Sequence, residues 1–304
     1  MDKECRSIKN ELESLRPFVD RAVSSCYPLY SEEEIREAEK RLGTSLPAPV
    51  RDLYRQMADL LTERLLLTPL ELLHWEGDFL GFYESPDDGA ALGIRRGEDP
   101  NQLYWWELSD PEEESYDYWD EFSDLCEEGD RKGRKKLAKR CRAYWKKINA
   151  RYPDLPSSPV RKLEYKAQYS CTLDAYGLFL ALHALYEACE DFQREHPDEP
   201  LLWSGETDFH SQAAEDNQPR RIPDECFHRL HDRITQVFSP LSPRLLALET
   251  PGLQMAYLHR DQRALLLAWD EDAFLNLLTL APPAPGLLEE MEAATGVNFR
   301  CCKL

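Results

Sequence analysis

Hydrophobic positions in the first part of the chain recur every three or four residues, the spacing of one face of a helix. They predict an N-terminal helix within residues 1–30 and two amphipathic helices between residues 31 and 61. Ser31 with Glu34 matches the reciprocal capping pattern of a helix start, and Gly43 suits the left-handed residue that ends a helix. Pro49 suits the first turn of the second helix, because its missing N–H needs no partner there. The pattern therefore predicts a tight helix pair.

After the helix pair, short aromatic-rich runs are separated by turn residues, which is typical of strands. Residues 77–83, 90–94 and 103–108 are predicted strands, and a long apolar helix is predicted from about residue 173 to 192. Farther along, residues 254–258 and 264–269 predict a hairpin. Phe274, Leu277 and Leu278 are assigned to a helix after that hairpin. The resulting fold class is α+β.

The helix pair carries the pattern E-x-x-I-x-x-x-E-x-x-L-G-x-x-L-P, which is followed by Tyr54 after six intervening residues. This resembles the opening of the SUKH superfamily, which includes bacterial immunity proteins and a yeast cell-wall-synthesis regulator. The resemblance implies a helix pair packed on a small antiparallel sheet within residues 31–195. It also implies a structural role for Leu42, Gly43, Leu46 and Pro47, rather than a role in contacting a partner.

The remaining domain boundaries follow from changes in composition. Residues 109–151 form a highly charged block that reads as an insertion in the SUKH-like domain. Residues 196–222 are polar and rich in proline, which predicts a linker or long loop. Residues 223–304 are expected to form a C-terminal helix–hairpin–helix region, an α+β extension of the first domain.

The chain is strongly acidic, with a net charge of −20 and a pI near 4.8. This balance argues against direct binding of nucleic acid or of an anionic membrane, since both require positive potential. It favours electrostatic steering toward a basic partner. Nine scattered cysteines and the lack of an apolar leader or a long apolar run predict a cytoplasmic protein.

The charged block is divided by sign. Twelve acidic and no basic residues lie between Glu107 and Asp130, whereas eleven basic and no acidic residues lie between Arg131 and Arg151. One interpretation is self-neutralisation, with a flexible acidic loop lying against a basic helix. The other is an acidic patch that binds a cationic partner. Its candidate residues are Glu112, Glu113, Glu114, Asp117, Asp120 and Glu121.

Candidate catalytic chemistry is sparse. His228 and His231, with Cys226 and Asp232 nearby, have the spacing of two zinc ligands, yet nothing in the sequence completes a four-ligand site. The chain carries none of the common nucleophile-elbow, phosphate-loop or zinc-protease motifs. We therefore predict no catalytic residues, no metal and no cofactor. Cys126, Cys141, Cys171 and Cys189 are interpreted as core-filling thiols.

Three functions remain in order of preference. The resemblance implies a non-enzymatic immunity protein that neutralises a cognate toxin, and a nuclease with a basic cleft suits an acidic inhibitor. The second hypothesis is an intracellular scaffold or regulatory module. The third is an enzyme of unrecognised class that uses the region around His228 and His231.

Overall fold

The chain has the mixed α+β architecture predicted from its sequence, with helices and antiparallel sheets. A computed structural model describes residues 7–85, 90–99, 102–107, 116–162, 172–206, 231–241, 253–259, 261, 263–269, 274–281, 283 and 285–302. The chain divides into two units, Met1–Leu12 with Ser24–Ala181 and Glu13–Val23 with Leu182–Leu304. Within the described ranges, no helix is both long and apolar enough to cross a bilayer.

The elements are numbered in chain order. The helices are α1 (Lys9–Ala22), α2 (Glu32–Leu42), α3 (Ala48–Gln56), α4 (Ala58–Glu63), α5 (Tyr116–Glu127), α6 (Arg131–Arg151), α7 (Thr172–Glu195) and α8 (Pro285–Thr295). The strands are β1 (Trp75–Glu76), β2 (Phe79–Ser85), β3 (Ala90–Arg95), β4 (Tyr104–Glu107), β5 (Arg161–Lys162), β6 (Leu202–Glu206), β7 (Phe238–Pro240), β8 (Leu253–His259), β9 (Ala264–Trp269), β10 (Phe274–Thr279) and β11 (Arg300–Cys301). Residues 231–234 are also helical.

Helix α2 begins and ends as predicted. The Ser31 hydroxyl accepts a hydrogen bond from the Glu34 amide, and the Glu34 carboxylate accepts one from the Ser31 amide at 2.9 Å. These reciprocal bonds satisfy two donors that the first helical turn leaves unpaired. At the other end Gly43 has φ of 71°, and its amide donates to the Glu39 carbonyl. The predicted capping box and glycine cap are both confirmed.

The Leu-Gly-x-x-Leu-Pro turn is held by contacts on both sides. The Trp75 indole donates to the Leu42 carbonyl at 2.9 Å, and the Leu46 amide donates to the Glu39 carboxylate at 2.9 Å. Leu46 is buried, and Pro47 immediately precedes the first residue of α3. These bonds fix the path of the chain between α2 and α3, which gives the turn a structural role.

The second predicted apolar stripe is divided between α3 and α4. Val50, Leu53 and Tyr54 on α3 and Leu61 on α4 are all fully buried. The Tyr54 hydroxyl donates to the buried Thr68 carbonyl at 2.7 Å, so the polar end of this core aromatic is paired. The stripe therefore forms the centre of the first unit's helical core.

The first unit contains a five-stranded antiparallel sheet in the order β1-β2-β3-β4-β5. A register shift between Gly81 and Tyr83 interrupts the β2–β3 pairing, as a β-bulge does. Gly93 lies opposite Gly81, and a Cβ at Gly93 would approach the Leu80 carbonyl oxygen to 1.8 Å. The close pairing of β2 and β3 therefore requires a glycine at position 93. The predicted strands of this sheet are confirmed within a residue or two for β3 and β4.

The second unit contains a six-stranded antiparallel sheet in the order β11-β6-β10-β9-β8-β7. The predicted hairpin is confirmed as β8 and β9. The predicted helix at Phe274, Leu277 and Leu278 is wrong, because these residues lie on β10 between β6 and β9. A short central strand buried on both faces shows no alternation of polar and apolar residues, so its sequence resembles that of a buried helix. The helix–hairpin–helix description of residues 223–304 is corrected accordingly.

The predicted linker at residues 196–222 is wrong for residues 202–206, which form β6. This strand is short, and its apolar content lies at its beginning, where Leu201 and Leu202 are fully buried. The Gln193 side chain accepts the amide hydrogens of both leucines at 3.1 and 2.8 Å, which fixes the entry into the strand. Residues 207–222 lie outside the described ranges. The unit boundary at Ala181 also falls inside α7 rather than at the predicted residue 195.

Candidate functional site

Helices α5 and α6 form a hairpin from the charged block. Gly129 has φ of 66°, and the Asp130 carboxylate accepts the amide hydrogens of Lys132 and Gly133 at 3.0 and 2.9 Å, which caps α6. A Cβ at Gly133 would lie 2.4 Å from a Leu125 methyl, so the two helices approach closely at this glycine. The acidic segment 116–127 is thus a helix, and the expectation of a flexible loop there is wrong.

An apolar seam joins the two helices. Four apolar residues of α6 at helical spacing are buried together with Phe122 and Cys126 of α5. These four residues are Leu137, Cys141, Tyr144 and Ile148. His74 stacks on Trp145 with ring centroids 3.9 Å apart, which extends the seam toward the segment before β1. The hairpin is therefore part of the folded core and not a mobile appendage of charges.

The six candidate residues of the acidic patch have different outcomes. Glu112, Glu113 and Glu114 lie outside the described residues, and Asp117 is on α5 with its side chain outside the description. Asp120 is exposed, and both Glu121 oxygens accept from the Arg140 guanidinium at 2.7 Å. Among the residues described, Glu121 alone joins the acidic block to the basic helix by an ion pair.

Sequence reasoning predicted Asp120 but missed three more exposed carboxylates, Asp124 and Glu127 on α5 and Glu128 directly after it. Asp120, Asp124, Glu127 and Glu128, here called the acidic face, are exposed. None of them has an ion pair or side-chain hydrogen bond to another described residue. Their spacing of four, three and one residues could have been found, since it is that of one helical stripe. The acidic face therefore presents charge that the described fold does not neutralise.

Two arginines of the basic helix form ion pairs outside the charged block. Arg131 forms an ion pair with Glu34 of α2, and Arg134 forms one with Glu71 at 3.1 Å. Glu71 also accepts from the Tyr30 hydroxyl at 2.6 Å. Burial, and next to it the Glu71 charge, hold the pKa of Tyr30 well above its ordinary value. Among the described residues, Arg140–Glu121 is the ion pair that joins the acidic and basic halves of the block.

A cleft of about 460 Å³ lies between α2 and α6. Its charged lining comprises Arg41, Arg131, Lys135, Arg142, Glu34, Glu37 and Glu71. Ala38 and Ala138 are buried at its sides, and small side chains on both helices leave the space open. The residues of α6 that line it stand at positions 131, 135, 138 and 142, one helical stripe. Basic residues all around α6 hide this stripe in the sequence.

Arg41 is the most enclosed cation of this cleft. It donates through Nη2 to the Leu70 and Leu73 carbonyls at 2.6 and 3.4 Å, while its buried Nε has no partner in the described structure. Burial, followed by the nearby positive charge of Arg142, lowers the pKa of Arg41. Two guanidinium groups therefore share one cleft with no carboxylate bound to Arg41 in the described residues.

A second cleft, of about 640 Å³, is bordered by the first sheet and the segment after α6. Tyr104 lies on its wall and donates its hydroxyl hydrogen to Glu98. Burial and this bond raise the pKa of Tyr104 to about 12. The Asn149 side chain accepts from the Gly77 amide at 3.0 Å and donates to the Trp75 carbonyl at 2.6 Å, which ties α6 to β1 beside the cleft. The Tyr104, Glu98 and Asn149 side chains beside this cleft therefore already have hydrogen-bond partners within the protein.

The cysteines confirm the predicted core role where they are described. Burial raises the pKa of Cys126, Cys141 and Cys189 to about 12, which keeps these thiols protonated near neutral pH and poorly nucleophilic. Cys171 lies outside the described residues. The six cysteines that the structure does describe are free thiols.

Only part of the candidate zinc site around His228 and His231 lies among the described residues. Cys226 and His228 lie outside the described ranges, and Asp232 is exposed. His231 makes a hydrogen bond through Nδ1 to the Tyr257 hydroxyl at 2.9 Å. No group of three or more potential metal ligands occurs among the residues described.

The comparisons with known proteins give no relative. No protein-family model, curated protein or solved structure matches this chain.

Proposed function

We propose that this chain is a non-enzymatic binding protein that acts in the cytoplasm as an immunity protein, neutralising a basic protein toxin by direct contact. A nuclease is the toxin class that suits it best, because a nuclease exposes a cationic cleft to hold phosphates. The observation that carries the proposal is the acidic face of α5, whose carboxylates are exposed and unpaired among the described residues.

The acidic face is presented in a fixed arrangement. Phe122 and Cys126, which alternate with its carboxylates along α5, are buried in the seam against α6. A partner therefore does not have to order a flexible loop, and the entropy lost on binding is correspondingly smaller. Because the whole chain carries a charge of −20, the same charges steer a cationic partner during its approach.

The SUKH resemblance supports the same function. The resemblance implies a capped helix pair followed by a small antiparallel sheet, and α2, α3 and the sheet from β1 to β5 occur in that order. In this proposal the Leu42–Pro47 turn holds the helix pair, whereas the acidic face makes the contact.

The proposal is tested by co-expression with the product of the adjacent open reading frame. We expect that product to arrest growth alone, the present chain to restore growth, and the two purified proteins to bind with an association rate that falls steeply with salt. The Asp120→Lys/Asp124→Lys variant should lose protection. The control Glu195→Lys/Glu289→Lys changes the net charge equally at exposed sites outside α5 and should retain protection. A harmless neighbouring product, or equal loss of protection in both variants, would contradict the proposal.

A further inference from the structure

We propose that the cleft between α2 and α6 is a binding site for a small oxyanion, a molecule that carries a phosphate or carboxylate group. The site lies within the first unit and uses none of the residues of the acidic face. It is therefore a second binding function of the chain, beside the proposed toxin contact. Its volume of about 460 Å³ is in the range of sites that hold small molecules.

The cations of the cleft are in excess once the internal pairs are formed. Glu34 is bound to Arg131 and to the α2 capping bonds, and Glu71 is bound to Tyr30 and Arg134. Those two carboxylates are consequently occupied. Among the carboxylates that line the cleft, Glu37 is the one without an ion pair to a described residue, and it is exposed at the rim.

Three cations remain against that single carboxylate. Lys135 and Arg142 make no ion pair or side-chain hydrogen bond within the described part of the chain, and Arg41 is bound to main-chain carbonyls alone. Nε of Arg41 is a buried donor without a described acceptor, so it is enclosed by protein and does not count among the groups open to a ligand. A guanidinium group binds oxyanions through paired N–H donors, so the unused groups match a phosphate or carboxylate in kind.

The electrostatic repulsion between Arg41 and Arg142 also favours a bound anion. Burial, followed by repulsion from Arg142, lowers the pKa of Arg41, and the Glu71 charge only partly opposes this shift. An anion placed near the two groups would offset this repulsion. This cationic excess is notable in a chain whose net charge is −20, because the long-range field of the protein disfavours anions elsewhere.

Isothermal titration calorimetry of the full chain with inorganic pyrophosphate and with citrate tests the site. We expect at least one probe to bind with one-to-one stoichiometry at low salt. Arg142→Gln and Lys135→Gln should each weaken binding about tenfold, the loss of one charge-assisted hydrogen bond. Lys136→Gln, an exposed neighbour that does not line the cleft, is the matched control and should leave affinity within twofold.

Glu37→Gln provides a test of opposite sign. Removing the unpaired rim carboxylate should tighten binding severalfold, which a general loss of structure cannot do. Binding of pyrophosphate alone identifies a phosphate ligand, and binding of citrate alone identifies a carboxylate ligand. Absence of binding by both probes, or equal effects of Arg142→Gln and Lys136→Gln, overturns the proposal. Asp120→Lys/Asp124→Lys should still bind the probe, so failure of the toxin proposal and of this one are separable.

Discussion

Two arginine–glutamate pairs extend from α6 to different neighbours, and the longer of the two is the more buried. The Arg134–Glu71 pair is 3.1 Å long, with side chains 13% and 20% exposed. The Arg140–Glu121 pair is shorter, at 2.7 Å, yet its side chains are 59% and 39% exposed. Exposed pairs are screened by water and pay side-chain entropy, whereas removing one partner of an enclosed pair leaves a desolvated charge. The longer pair is therefore the one that matters for stability.

The comparison separates charged side chains that form ion pairs within the fold from charged side chains that could still bind a partner. Arg131 and Arg134 connect α6 to Glu34 and Glu71, and through Glu71 to Tyr30. The acidic face and the cleft residues Arg41, Lys135 and Arg142 take no part in these contacts. Both proposed binding functions use charged side chains that form no ion pair within the described fold.

The largest effect is expected from the apolar seam and not from either ion pair. Leu137 on α6 is fully buried, so Leu137→Ala removes buried methyl groups and leaves a cavity. We expect a loss of about 3 kcal/mol in the free energy of unfolding, measured by urea denaturation. Lys136→Ala, at the exposed neighbouring position, should change it by less than about 0.5 kcal/mol. A loss from Leu137→Ala smaller than that from either ion-pair variant would show that charge holds the hairpin.

The next largest effect should distinguish the two glutamates directly. Glu71→Gln keeps the shape but removes the charge that faces Arg134 and Tyr30, and we expect a loss of about 2 kcal/mol. Glu121→Gln is the matched control on the exposed pair and should cost less than about 0.5 kcal/mol. Equal losses in urea denaturation would mean that burial does not determine the contribution of these pairs.

The Tyr30–Glu71 contact also predicts a dependence on alkaline pH. The pKa of Tyr30 is raised in the folded state by burial and by Glu71, so its contribution is complete below the unfolded tyrosine pKa of about 10. Above that pH the unfolded chain ionises first, and stability falls. Tyr30→Phe should be less stable than wild type at pH 8, by about 1 kcal/mol for the lost hydrogen bonds to Glu71 and Leu70.

The difference between wild type and Tyr30→Phe should then narrow between pH 8 and pH 11, as followed by urea midpoints. Tyr83 also has a raised pKa and contributes equally to both proteins, so their difference reports on Tyr30. A gap that stays constant with pH would contradict the assignment.

The parts of the molecule that could be predicted from sequence are those with local signals. Ser31, Glu34 and Gly43 specify α2 through bonds within one helical turn, and the four apolar residues of α6 mark its buried face by spacing alone. The six residues of β10 could not be distinguished from a helix, because residues 275–279 are buried on both faces of the strand and therefore show no polar–apolar alternation.

The charged sites show the same limit. The spacing of Asp120, Asp124 and Glu127 was visible in the sequence, but their lack of partners was not. Glu71 and Arg134 are 63 residues apart, and nothing local indicates that Arg134 pairs there rather than with the acids of α5. Proximity in sequence favoured self-neutralisation, whereas the packing of α6 directed two arginines toward other carboxylates.

The smallest effect, the coupling of Arg140 with Glu121, is the most direct test of whether α5 and α6 neutralise each other. A double-mutant cycle with Arg140→Gln and Glu121→Gln should give a coupling free energy of about 0.3 kcal/mol at low salt. It should approach zero in 1 M NaCl, where charges are screened within about 3 Å. Arg140 also lies over the Tyr118 ring, with its guanidinium carbon 5.8 Å from the centroid, and the cycle subtracts that packing from the charge interaction. A coupling above about 1 kcal/mol that survives high salt would mean that the hairpin neutralises its own charges strongly, and the acidic face would then be a weaker electrostatic target than its exposure indicates.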